Sequence, residues 1–165
     1  MKLKTKRVAH IGLCTAAALI LAYVETLIPP IFTAVPGIKI GLPNIAIIFA
    51  LYSFGLPWAA AISFVRIVAV TLLFGNPMTF AYSVAGAFLS LFVMAVLRKA
   101  DFFSEVGVSV CGGVFHNVGQ ILTAMLLLEN TKLGYYLIVL AISGTVSGVL
   151  VGICSAQVLK RIIVK

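Results

Sequence analysis

The sequence predicts an all-α integral membrane protein, a bundle of about six transmembrane helices forming one domain over residues 1–165. Three observations predict it. The chain is 62% hydrophobic and only 10% charged, whereas soluble domains run near half apolar and a quarter charged, so no soluble core hides this much apolar surface. Most of its apolar residues fall in runs of about 20, the length a helix needs to cross hydrocarbon. The 12 Lys and Arg residues lie between and beyond those runs, with the single exception of Arg66.

The first run, residues 8–28, follows the basic segment of Lys2, Lys4, Lys6 and Arg7 and stops at Pro29-Pro30. It is too long for the apolar region of a signal peptide and more runs follow, so it reads as a retained first helix. A loop over residues 31–42 carries Pro36, Gly37 and Lys39. The second helix opens at Pro43, whose missing N–H is no loss in a first turn, and ends near Phe54. That is short for a full crossing, which predicts a segment that is tilted, shielded by neighbours or partly re-entrant. Gly55-Leu56-Pro57 breaks the chain before a third helix reaching Phe74. Gly75-Asn76-Pro77 makes the next turn, and residues 78–97 form the fourth helix. The charged stretch 98–105 is a loop, residues 106–128 the fifth helix, residues 129–132 a polar turn, and residues 135–159 the sixth.

Charge distribution orients the bundle and excludes other classes. With six spans, both termini share a side with the Gly55 break and the Arg98 loop. That side holds nine basic residues (Lys2, Lys4, Lys6, Arg7, Arg98, Lys99, Lys160, Arg161 and Lys165) against Lys39 and Lys132 opposite. The excess marks the cytoplasmic side, and it is the pattern of headgroup anchors rather than of a nucleic-acid groove. Cys14, Cys111 and Cys154 stand far apart, with no metal or disulfide spacing. No phosphate-loop motif occurs, so ATP hydrolysis by that route is excluded.

Ionisable groups at membrane depth are costly, and each is a default functional candidate. Glu25 lies in the outer part of the first helix, Arg66 midway along the third, and His116 near the centre of the fifth, followed by Asn117 and Gln120. Gly112, His116, Gly119, Gln120 and Thr123 share one face of that helix, and a polar face in a spanning helix must meet protein or water. Thr79, Tyr82, Ser83, Gly86 and Ser90 make a weaker counterpart on the fourth. Together they predict a polar cavity in the outer half of the bundle, with Lys39 and Asn44 near its mouth. If Glu25 neutralises one of Arg66 and Lys39, one positive charge remains for a ligand carboxylate or phosphate; alternatively Glu25 binds a cation or carries a proton. The same hydroxyl and amide side chains also serve as bridges between helices. Gly144, Gly148 and Gly152, and likewise Ala18 and Ala22, recur at the four-residue spacing that lets helices approach closely.

The segment Pro36-Gly37-Ile38-Lys39-Ile40-Gly41-Leu42-Pro43-Asn44 resembles the G-x-K-L-G-L-A-N signature of the Gx transporter family. Bacterial sequences of that family are often labelled heptaprenyl diphosphate synthase component I. The resemblance continues through Arg66, Leu72-Leu73-Phe74-Gly75, Thr79-Phe80, Tyr82-Ser83, Gly107-Val108-Ser109, Gly112-Gly113, His116-Asn117 and Gly119-Gln120. Ile40 and Pro43 depart from the usual Leu and Ala without changing a polar group. The family in turn resembles the substrate-binding S components of energy-coupling-factor transporters. These are six-helix proteins that capture a ligand outside the cell and depend on a coupling membrane subunit and two ATPases. The resemblance implies that Ala18 and Ala22 meet the coupling subunit. Glu25 lies seven residues after Ala18 on the same face, so the two cannot easily serve opposite partners unless the helix bends.

These readings converge on a substrate-binding subunit of an uptake transporter, non-enzymatic and cofactor-free, in a bacterial cell membrane with both termini cytoplasmic. Its ligand set would be Glu25, Lys39, Asn44, Arg66, Tyr82, His116, Asn117 and Gln120; its ligand, an anionic, isoprenoid, quinone-related or vitamin compound. Its partners are the small molecule, lipid, a coupling subunit and ATPases, and no nucleic acid. One alternative is a non-catalytic membrane subunit of a prenyl synthase, because chain elongation needs magnesium on clustered carboxylates and Asp101 is the sole aspartate. The other is an ion-coupled carrier working through Glu25, Arg66 and His116.

Overall fold

A computed structural model describes residues 2–28 and 40–163 of the chain. Among them are six α-helices and no strand: α1 Lys2–Leu27, α2 Asn44–Phe54, α3 Leu56–Phe74, α4 Pro77–Ala100, α5 Glu105–Leu127 and α6 Tyr136–Ile163. Five are long and apolar enough to cross a membrane. The second is the exception: at 11 residues it reaches about 16 Å, half of a hydrocarbon core of about 30 Å. The expected sixth span is therefore a half-length helix, and the shielding anticipated for it is what the packing supplies. It touches α1, α3 and α6, and Ile47, Ile48, Ala50 and Leu51 on it are almost wholly buried.

Local chemistry sets the helix limits. Gly55 separates α2 from α3 at φ 90°, a conformation that side chains with a Cβ resist, and its N–H bonds back to Ala50 O and Leu51 O. Asn76 and Thr79 cap α4 reciprocally, each side-chain oxygen accepting the other's backbone N–H at 2.9 Å, a capping box built on Asn and Thr. Ser104 accepts from Gly107 N–H at 3.2 Å to start α5, and Glu105 in the first turn complements the helix dipole. Asn130 opens the short 3-10 turn Thr131–Tyr135 by accepting from Lys132 N–H.

The tightest packing joins α4, α5 and α6. The ladder Gly144, Gly148 and Gly152 lies against α5: a Cβ on Gly148 would come 2.6 Å from Val110 Cα, and one on Gly152 2.8 Å from Val106 Cα. Those distances put backbone against backbone, as the four-residue spacing predicts. Ser109 Oγ donates to Gly148 O at 2.7 Å across the same seam, and Asn117 Nδ2 to Leu140 O at 2.6 Å. The outward faces carry the opposite character. Leu72, Phe88 and Leu126 are 80%, 72% and 79% exposed, which water penalises and lipid does not.

Contacts between ends place the charges. Arg7 donates to Phe54 O at 3.4 Å, and the Arg98 guanidinium to Leu51 O and, at 3.2 Å, to Tyr52 O. The start of α1, the end of α2 and the end of α4 thus share one end of the bundle. Because α6 runs antiparallel to α5, Lys160 and Arg161 in its last turn fall there too.

Candidate functional site

Two groups of the anticipated residues come together, on different seams. The first surrounds the start of α2. Asn44 N–H bonds to Gly41 O at 2.9 Å, and Ile45 N–H to Leu42 O at 3.1 Å, so the chain turns tightly into the helix. Gly41 holds φ 78°, and a Cβ there would also lie 3.2 Å from Asn44 Nδ2; both facts favour glycine. Glu25 Oε1 accepts the N–H of Gly41, tying the outer part of α1 to this turn. Arg66, half-buried on α3, lies within electrostatic reach of that carboxylate. Its Nε is buried with no hydrogen-bond partner. The carboxylate that holds the turn into α2 thus lies within electrostatic reach of a buried guanidinium on α3. The dipole of α2 adds partial positive charge at its start, a feature that membrane carriers with interrupted helices use to receive anionic groups.

The second group lies between α4 and α5. The stripe expected on α5 does face protein: Gly119 packs on Ala85 and Gly86, Gly112 on Met94 and Ser90, and His116 and Gln120 flank Gly86. A Cβ on Gly86 would come 2.8 Å from His116 O and 2.9 Å from Gln120 Cγ. Tyr82 is half-buried one turn before Gly86 on α4. Thr123 spends its hydroxyl on Gly119 O of its own helix. Thr79, from the weaker stripe, is exposed and spends its hydroxyl in the capping box with Asn76.

The two groups approach each other at a small central cavity of about 20 Å³, whose lining includes Asn44, Ser90, Ser109, Gly112 and Ser147. That is room for about one water molecule. A ligand of metabolite size does not fit this cavity unless the helices that line it separate.

Three of the anticipated residues stand elsewhere. Asn117 does not join His116: its amide turns to α6 and bonds Leu140 O, because adjacent helix positions point about 100° apart. Ala18 and Ala22 are 0% and 4% exposed, packed against other parts of the same chain. Their small side chains serve the approach of α1 to its neighbours, and the shared face with Glu25 is an inward face. Lys39 lies outside the described residues. Sequence reasoning missed the central serines Ser109 and Ser147 and the clamp formed by Arg98. Ser147 precedes Gly148 of the glycine ladder, a signal available in the sequence, whereas Arg98 read simply as a loop cation.

A family model described as heptaprenyl diphosphate synthase component I matches residues 14–158. The chain belongs to that family. The match begins within α1 and ends within α6, so it takes in the candidate residues of both seams and leaves out the basic ends. No curated protein and no solved structure matches the chain. The matched residues include Gly41 and Asn44, on the turn that Glu25 holds.

Proposed function

We propose that the chain is the substrate-capturing membrane subunit of an uptake system of the energy-coupling-factor type. It takes a small anionic molecule from the side opposite its basic end and is itself non-catalytic. A coupling membrane subunit and ATPase subunits supply the energy. The observation that carries this reading is Arg66, a cation at membrane depth whose Nε has no partner. Keeping such a group inside a lipid-facing bundle costs several kcal/mol unless something compensates it. Glu25 is committed to Gly41 N–H, so the Arg66 guanidinium is what an incoming carboxylate or phosphate would pair with. The basic end is then cytoplasmic by the excess of Lys and Arg there, in a bacterial cell membrane, and the Gly41 turn opens toward the outer side.

A second reading follows from the family name: a membrane subunit that serves a separate prenyl synthase. Its carboxylates are spread out, with Glu25 on α1, Asp101 and Glu105 at the basic end and Glu129 beyond α5. That scatter weighs against magnesium-dependent chemistry within this chain. Affinity capture from native membranes, followed by mass spectrometry of proteins and small molecules, separates the two. Recovery of a coupling subunit with ATPases supports transport, and a co-purifying acid or phosphate nominates the ligand. Recovery of a soluble prenyl synthase without ATPases overturns it in favour of the second reading.

A further inference from the structure

The seam between α3 and α4 carries a trench that neither seam of the candidate site uses. Its apolar part, about 320 Å³, has Ser63, Ile67, Ala87 and Leu91 as its floor and Phe64 and Phe88 on its rim. The floor residues are buried and the phenyl groups exposed, so small side chains leave a slot that aromatic ones border. Leu56 and Phe92 also line a second cavity of about 750 Å³ at the basic end, which adds Gly55, Pro57, Arg98 and Lys99. The two therefore adjoin at Leu56 and Phe92.

Dimensions and charge identify what fits. From Leu56 to Ile67 the trench follows α3 for about 16 Å, half of a hydrocarbon core of about 30 Å and so the depth of one leaflet. At its basic end Lys99 is exposed, while Arg98 is held against α2 with its guanidinium 5.1 Å from the Tyr52 ring. The start of α3 opens there as well, with no side-chain cap, so the N–H groups of Leu56 and Trp58 add positive character. An apolar slot one leaflet deep that ends in positive charge complements a lipid with an anionic headgroup. We propose that this trench is a binding site for an anionic phospholipid of the leaflet at the basic end, with one acyl chain between Phe64 and Phe88 and the phosphate beside Lys99.

Trp58, the sole tryptophan of the chain, lies outside the trench lining, so a reporter protein carries Trp58→Phe together with Phe88→Trp, which sets the one indole on the rim. The test measures quenching of that indole's fluorescence in the purified full chain, titrated with brominated-chain phosphatidylglycerol or phosphatidylcholine. Phosphatidylglycerol should quench at a several-fold lower mole fraction. Lys99→Gln should erase that difference, and Ala60→Phe, at an exposed position in the slot, should weaken quenching by phosphatidylglycerol. Equal quenching by the two lipids in the reporter protein overturns the proposal, as does a preference that survives both Lys99→Gln and Ala60→Phe. The site is separate from Glu25 and Arg66, so either result leaves the transport reading standing.

Discussion

Replacing Gly148 by alanine tests whether the glycine ladder is a backbone-to-backbone joint. The new Cβ would lie 2.6 Å from Val110 Cα, 3.0 Å from Ser109 O and 3.1 Å from Val110 N. None of these atoms is the end of a flexible side chain, so α6 must back away from α5. Overpacking of this kind costs about 1–3 kcal/mol. Backing away also stretches the Ser109–Gly148 hydrogen bond of 2.7 Å, an interhelical bond worth about 0.6–2 kcal/mol. The expected loss is thus about 2–5 kcal/mol. Gly12→Ala is the matched control: a Cβ there meets nothing within 4 Å, so the lower backbone entropy of the unfolded chain makes it neutral or stabilising by up to about 1 kcal/mol. Reversible unfolding in mixed micelles with increasing dodecyl sulfate measures both variants. If Gly148→Ala is as stable as Gly12→Ala, the close α5–α6 approach is not the basis of the fold.

Arg98→Ala should cost about 2–3 kcal/mol, since charged hydrogen bonds contribute about 1.5–3 kcal/mol and the stacking on Tyr52 adds to them. Lysine should restore only part of that, because it lacks the planar fork, and faster amide exchange at the end of α2 is the local readout. Arg66→Ala should lower ligand affinity at least tenfold while the protein stays folded and monodisperse, with binding measured by calorimetry on the co-purified compound; unchanged affinity would make Arg66 structural. Asn117→Ala should lose about 0.6–2 kcal/mol of stability and leave binding intact, whereas His116→Ala should lose binding. The reverse order would exchange the roles of the two seams.

Helix number, helix limits and the membrane setting are local properties, and they were legible in the residues. Apolar runs count the six helices, Pro43 and Gly55 mark the ends of the short one, and Gly75-Asn76-Pro77 marks the turn before α4, where Asn76 accepts from Thr79 N–H. Periodicity also showed that the face bearing Gly112, His116 and Gln120 must meet protein or water, and the recurrence of glycine in α6 announced a close helix contact. Periodicity does not say which helix lies opposite. His116 and Asn117 are neighbours in the chain, yet one meets α4 and the other is spent on a carbonyl of α6. Ala18 and Ala22 had the spacing of an interface, but spacing is the same for an internal joint and an external one, and the packing made it internal. The meeting of Glu25, Gly41 and Arg66, from α1, the turn before α2 and α3, likewise depends on a half-length helix being enclosed by its neighbours. Tertiary structure alone decided these points, because burial and partnership are set by residues far apart in sequence, whereas an apolar run and a helix cap are set within a few turns.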